Sequence, residues 1–529
     1  MNKMNVGRHQ FIARKKGSVY GNSENKAIIG GWHVEAGELC KVSVSSKREV
    51  SVCVIGNTID SHGELENEND TASFLSGAKN INRIAKRTSR LGGYWVLLID
   101  IKGKVLAMND CCGLLPIYYH KKKENKIIGS SISKIAKHVN ENKSKLFNSI
   151  KDPEDFFSAE RLMRGEYSGN KKLKDSSLPL GVTPYSSIKK LLPNRIIRLD
   201  SFESDRVFPV KSIRSNDVKS ASNDIIIKMT NIIRHIGEKF GNVRLPLTSG
   251  MDSRVLFAIC EKSNIKYRSF TYVLEGVEKN KGSAESEFGR DALVAKNICR
   301  RYGVEHDTIE MKTDIDVKDV TSMLNNIDYL VSSSTLPYEF KSLKEYLPKE
   351  STVLNGSVSE IGRPLYGFGC LPDFSMHASL LANISGHQSI ASIRSMFDEW
   401  IKESKDVSAE YGIGVMDLLY WEERMGNWQS SFQQQLRPIT NVITPYNCRS
   451  VIRDFLSVSY KKRVANKVHK NILSIFDPNL LSYPINPPYG NDYLDSSKYR
   501  IKKAIKKKSR EKCFLNLVWW ILSILKNRY

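Results

Sequence analysis

At 529 residues the chain is too long for one hydrophobic core, and two to four domains are expected. A hydrophobic share of 40% with a mean hydropathy of -0.36 is that of an ordinary soluble globular protein, and no stretch reaches the roughly 18 apolar residues that span a bilayer. The net charge of +24 points either to an acidic partner or to a lysine-rich composition throughout.

Met1 to Gly17 is polar and basic, without the apolar core of a secretory signal. The nine cysteines are scattered with no CxxC pair, and the adjacent Cys111 and Cys112 suit neither a zinc ribbon nor a disulfide frame. Reduced cytoplasmic thiols are therefore expected. The N-terminal third reads as strands and turns. Val50 to Gly56 is an apolar run closed by glycine. Gly93 to Asp100, a turn at Ile101–Lys104 and Val105 to Met108 make a hairpin signal. Ile117 to Tyr119 is β-rich, and Ile188 to Asn194 reads as a turn into a strand over Arg195–Leu199.

The pattern changes near Ser215. Asn216 to Phe240 carries apolar residues at helical spacing. Helices and short strands then alternate. Strands are expected at Val243–Leu247, Tyr267–Leu274 and His306–Met311, and helices at Arg254–Ser263 and Glu285–Tyr302. Pro246 places its strand near an edge or marks the strand's end. This alternation predicts a parallel sheet with helical crossovers. From about Asp373 the chain reads as mostly helical, and the main boundary falls near 205–215.

Leu247-Thr248-Ser249-Gly250-Met251-Asp252-Ser253 joins a strand to a helix. Backbone N–H groups at such a helix start, with the helix dipole, make an anion site. Gly250 permits close backbone approach, and Thr248, Ser249 and Ser253 offer hydroxyl donors. Asp252 cannot bind phosphate itself, so it implies a bridging Mg2+ or a helix cap. No lysine follows, as one would in a Walker A loop.

This loop resembles the SGGxDS pyrophosphate loop of the asparagine synthetase family. Gly250, Asp252 and Ser253 match outright, while Thr248 stands for Ser and Ser249 for the first Gly. The strand holding Phe270 and Thr271 sits where that family binds adenine through its backbone, and Asp291 to Gly303 resembles its next helix. Val353 to Ile361 is similar to its second nucleotide loop. Gly356 and Ser359 match, Glu360 stands for Asp, Val358 replaces a Gly, and Ile361 replaces a Glu. Thr444-Pro-Tyr-Asn447 resembles the family's Pro-Phe-x-Asp segment, and Lys470 matches a lysine that neutralises departing phosphates. The resemblance implies ATP and Mg2+ as cofactors, with the metal on Asp252 and Glu360. It implies catalytic roles for Asp252, Glu360 and Lys470. It places ATP on Leu247 to Ser253, Phe270, Thr271, Gly356 and Ser359.

The first third resembles the glutaminase half of the same family through Val54–Gly56, Leu91–Tyr94, Asp110–Tyr119 and Leu192–Asn194. That half begins Met-Cys-Gly and uses the cysteine as nucleophile, whereas this chain begins Met-Asn-Lys-Met-Asn and its first cysteine is Cys40. The implied fold is α/β. A degenerate N-terminal-nucleophile αββα domain without glutaminase activity spans 1–210. A PP-loop ATP-pyrophosphatase domain with a parallel sheet and a helical C-terminal part spans 211–495. A basic, apolar tail occupies 496–529.

The implied reaction joins a carboxylate to an amine through an acyl-adenylate, releasing AMP and pyrophosphate. The acid is a small molecule or peptide, and the amine is ammonia or a substrate amine rather than glutamine. Relatives lacking the cysteine include β-lactam-forming synthetases, lasso-peptide cyclases and proteins encoded beside surface-polysaccharide genes, and the sequence does not choose among them. Two other classes stay open: a binding or scaffold protein that has lost catalysis, and an RNA-modifying PP-loop enzyme. The absence of a catalytic cysteine pair or RNA module argues against nucleic acid. From Lys498 the tail holds eleven Lys/Arg and one acid, Glu511, and Phe514 to Leu525 is apolar. It suits an interfacial helix on anionic lipid at the inner face of a membrane, or packing on the body or on a second copy in a homodimer.

Overall fold

Two long apolar strands, Val50–Asp60 and Leu91–Ile101, are buried on both faces and form the centre of the first half of the molecule. The computed structural model describes residues 6–15, 25–120, 126–142, 178–274, 283–311, 336–366 and 391–486. The tail at 496–529 and the first five residues, on which the membrane and N-terminal nucleophile expectations fall, lie outside them. No helix among the described residues is long and apolar enough to cross a membrane.

The first half contains β1 (Phe11–Lys15), β2 (Lys26–Ile29), β3 (Trp32–Ala36), β4 (Val42–Lys47), β5 (Val50–Asp60), β6 (Leu91–Ile101), β7 (Lys104–Asn109), β8 (Tyr118–His120), β9 (Ile127–Gly129), β10 (Ile188–Lys190), β11 (Arg195–Arg198) and β12 (Ser204–Arg206). They form two six-stranded antiparallel sheets, ordered β10-β8-β9-β1-β3-β2 and β12-β11-β7-β6-β5-β4. Along β6, Tyr94, Val96 and Leu98 enter a core shared with Phe11, Trp32 and Val34 of the other sheet. Trp95, Leu97 and Ile99 point the other way, under the helices α1 (Glu68–Ser76) and α2 (Ile81–Thr88). A third helix, α3 (Ile132–Val139), packs on β8, β9 and β10, so helices flank the pair of sheets. Residues 67–88, which fall within the third expected to be strands and turns, form α1 and α2. Asn67 and Asn80 start them, each accepting backbone N–H bonds on its side chain. Ile188–Lys190, read as a turn, is a strand because Tyr118–His120 lies beside it.

The second half opens with α4 (Val218–Phe240), whose buried stripe runs from Ala221 to Ile236. Five parallel strands follow: β13 (Val243–Pro246), β14 (Tyr267–Leu274), β15 (His306–Met311), β16 (Thr352–Leu354) and β17 (Asn441–Ile443). Between them run α5 (Met251–Ser263), α6 (Ser283–Tyr302) and α7 (Leu336–Tyr346). The order is β15-β14-β13-β16-β17. The chain therefore builds outward from β13 on one side, then returns to build on the other. That reversal puts a crevice at the carboxyl ends of β13 and β16, the place where open α/β sheets bind ligands. Pro246 is the last residue of the central strand, where its missing N–H costs no ladder bond.

Past β16 the chain is helical: α8 (Ala391–Tyr411), α9 (Val415–Leu419), a π-helix at Tyr420–Gln429, α10 (Ser430–Leu436), α11 (Arg449–Leu456), α12 (Tyr460–Val464) and α13 (Lys467–Phe476). Asn447, just before α11, seams the two halves. Its amide donates to Gly93 O and to the Asp110 carboxylate, and its Oδ1 accepts from Cys112 N at 2.9 Å.

Candidate active site

The loop 247–250 leaves β13, and α5 begins at Met251 with no side chain capping its N-terminus. Its first-turn N–H groups therefore keep the unmet donor capacity that makes a helix start attract anions. The rest of the loop is held by its own side chains. Thr248 N donates to Ser253 Oγ at 3.1 Å, and Gly250 N donates to Thr248 Oγ1 at 3.1 Å. Ser249 N donates to Asp291 Oδ1 at 2.9 Å, and the Ser249 hydroxyl bonds the same oxygen. Ser249 thus ties the loop to α6. Leu247, Met251 and the Phe270 ring are core side chains, so any ligand role for them runs through the backbone. Thr271 Oγ1 donates to Leu247 O at 2.5 Å and clamps β14 to the start of the loop.

The second loop leaves β16 beside the first. A Cβ on Gly356 would lie 3.8 Å from Ser253 N, so this loop faces the start of α5. Val358 has φ of 81°, the left-handed region, where a β-branched residue costs roughly 1–3 kcal/mol. The backbone retains the conformation that a glycine would take freely. The π-helix brackets the loop at both ends. Tyr420 donates to Glu360 Oε2 at 2.6 Å, while Gln429 donates to Asn355 Oδ1 at 3.2 Å and accepts from Ser357 Oγ at 3.1 Å. Long π-turns are rare and cluster at functional sites. Arg463, paired with the buried Asp417, donates to Ile361 O at 2.8 Å and pins the turn from below.

The two loops meet at Asp252. Its carboxylate accepts from the Ser359 hydroxyl and from the Arg363 guanidinium, whose Nε lies 3.0 Å from both oxygens. His469 Nε2 is 3.6 Å away, its ring stacked on Phe455 at 5.3 Å. Burial works against the Asp252 charge, but the hydrogen bonds and charge of Arg363, with the Ser359 hydroxyl, hold the carboxyl below its usual range. Glu360 goes the other way: burial first, then the Asp252 charge, push its pKa up. Burial also lowers His469 to about 4, so the imidazole is neutral at pH 7.

The structure therefore brings together Thr248, Ser249, Gly250, Asp252, Ser253, Gly356, Ser359 and Glu360. Lys470 is exposed; one residue earlier on α13, the fully buried His469 is the side chain turned toward Asp252. Asn447 is a seam residue. Sequence reading missed Arg363, Tyr420 and Gln429. It also missed Arg254, whose buried guanidinium donates to the carbonyls of Ser249, Leu480, Tyr483 and Pro484 and straps 480–484 against the loop. Only Arg363 had a local signal, lying one helical step beyond Glu360.

No protein-family model matches the chain, and no curated protein matches it. Solved structures similar to parts of it include three enzymes. Glutamine-dependent NAD+ synthetase from Acinetobacter baumannii with ADP is 14% identical over 34% of this chain and 32% of that one, with a TM-score of 0.19. Glutamine phosphoribosylpyrophosphate amidotransferase from B. subtilis is 10% identical over 57% and 60%, with a TM-score of 0.22. NMN synthetase from Francisella tularensis is 12% identical over 39% and 93%, with a TM-score of 0.19. The chain thus spans about a third of the first and 60% of the second. Likenesses this distant carry no argument about its chemistry.

Proposed function

We propose that this chain is an ATP-dependent carboxylate–amine ligase of the asparagine synthetase kind, activating its acid as an acyl-adenylate and releasing pyrophosphate. One observation carries the reading. The two loops that the sequence singles out leave adjacent parallel strands at the switch point, and Ser359 crosses from one to Asp252, 107 residues away, on the other. In this reading the start of α5 receives the β and γ phosphates through its N–H groups. Thr248 and Ser253, which bond each other at 2.9 Å, turn their hydroxyls to the ligand. Arg363, rather than Lys470, is the cation placed to meet charge growing on the leaving pyrophosphate.

Asp252 and Glu360 fit Mg2+ in chemistry: two hard carboxylates on facing loops, close enough for the charge of one to raise the pKa of the other. Held by Asp252 and Glu360, the ion would supply positive charge to the phosphates. To hold the ion, Glu360 has to give up its Tyr420 bond, and Arg363 has to share or leave Asp252.

The amine in this reading is ammonia or a substrate amine. Every described cysteine is buried, and burial pushes the Cys40 and Cys53 thiols up to about 12, far from a thiolate nucleophile.

A second reading, a nucleotide-binding protein without ligase activity, draws on the bidentate hold of Arg363 on Asp252. Acid-dependent exchange of labelled pyrophosphate into ATP, screened over a panel of carboxylic acids, separates the two. The ligase reading expects exchange with at least one acid and its loss in Asp252→Ala. Exchange that survives this substitution would sink the reading, and ATP binding without exchange by any acid would favour the second.

A further inference from the structure

A cavity of about 320 Å3 opens between α2, the connector at 208–213 and α11, apart from the nucleotide loops. Its wall has two characters. Lys86, Arg87, Lys211, Arg449 and Arg453 line it, with Arg90 and Lys228, and no aspartate or glutamate does. Acids number 57 against 81 bases in the chain, so an acid-free wall is not what composition alone would supply. Two of these cations have partners: Arg90 pairs with Asp60 and Glu64, and Lys228 with Asp454. Among the described residues the other five have no carboxylate partner.

Arg449 is the sharpest case. It is 3% exposed, and its Nη1 has no hydrogen-bond partner among the described residues. Its guanidinium lies 3.9 Å over the Phe208 ring, with Nε and Nη2 donating over 3.4 Å to Asn194 Oδ1 and Asp110 O, which leaves Nη1 as the unmet donor. A buried cation with an unmet donor is costly unless a ligand meets it. The remaining wall is apolar: Phe208, Pro209, Val210, Ile213, Trp421 and Leu456. The cavity therefore joins an apolar, partly aromatic wall to a set of cations, at a volume that suits a small molecule.

We propose that this cavity binds a small organic dianion, an aryl or similarly flat apolar body carrying a phosphate-type group. The anion meets Arg449 and Arg453 while the body lies against Phe208 and Trp421. The inference stands whether or not the nucleotide loops turn over ATP.

The probe is phenyl phosphate, titrated calorimetrically into the full chain at low ionic strength, with inorganic phosphate and phenol titrated separately. Phenyl phosphate should bind about tenfold or more tighter than inorganic phosphate, and phenol should show no saturable heat. Arg453→Glu, an exposed position on the rim, should weaken phenyl phosphate by about tenfold or more. Lys349→Glu makes the same charge change at an exposed site outside the cavity and should leave the affinity within about twofold. Lys211→Glu is the second rim variant should Arg453→Glu fail to fold. No saturable binding, no preference over inorganic phosphate, or equal weakening by the rim and Lys349 variants would overturn the proposal.

Discussion

The polar cluster at the heart of the first half and the crevice of the second meet their polar groups in opposite ways. Around Asp110 and Tyr94 those groups satisfy one another. The Asp110 carboxylate accepts from Cys112 N, Leu114 N, Leu115 N and Asn447, and Asn57 donates to Leu39 O and the Tyr94 hydroxyl. In the parallel half, α5 starts uncapped, a valine is held at positive φ, and two acids of opposite pKa shift face each other. A finished hydrogen-bond network gives rigidity, whereas unmet donors and stored strain mark a place where a ligand completes the structure. In the proposed reading the crevice carries the chemistry and the cluster around Asp110 the support.

The largest effect that would test this contrast lies at Asp252. Asp252→Ala should lower acid-dependent pyrophosphate exchange by about 1000-fold or more, whereas Cys40→Ala in the first half should leave exchange within about twofold while costing roughly 1 kcal/mol of stability. Comparable loss from both would erase the division.

Next is the seam. Asn447→Ala leaves Asp110, Cys112 N and Gly93 O short of partners deep in the interior. It should cost roughly 2–4 kcal/mol in denaturant unfolding. A change below about 0.5 kcal/mol would show that the halves do not depend on this joint.

The third effect is a pH dependence. Folded His469 titrates near 4, below its ordinary 6.5, so the unfolded chain takes up the proton first as pH falls. Stability is therefore lost from pH 6.5 down to 4, by roughly 3 kcal/mol in all. His9, held near 3 in the first half mainly by burial, adds a slope of the same sign. His469→Phe, which keeps the stack on Phe455, should remove its share of the slope in unfolding measured from pH 4 to 7. An unchanged slope would place the titrating group elsewhere.

The smallest expected effect is none: glutamine should yield no glutamate above background, because the described thiols are buried. Steady glutamate release in an amino-acid assay would restore catalysis to the first half.

Much of the parallel sheet was legible. Tyr267–Leu274 is rich in aromatic and β-branched residues and His306–Met311 places Ile309 and Met311 two apart, and the structure gives both strands the same bounds. The loop at 247–253 was legible because small and hydroxyl residues between a strand and a helix have few other uses. β17 was not legible, since three residues carry no period. Helices α1 and α2 span only nine and eight residues, and the stripe that α2 does carry, Ile81, Ile84 and Ala85, is too short to stand out among strands. Arg363, Tyr420 and Gln429 escaped because their partners are set by tertiary contact, and a π-helix has no sequence period of its own. Lys470 and His469 differ by one step of about 100° on a helix, and only packing tells which faces inward.

The central claim is cleavage of ATP between its α and β phosphates at the switch-point crevice. Phosphorus NMR of a reaction containing the chain, ATP, Mg2+, ammonia and the acid that best supports exchange tests it most directly. The account predicts AMP and pyrophosphate in equal amounts, absent with Asp252→Ala; ADP and inorganic phosphate as the products would contradict it.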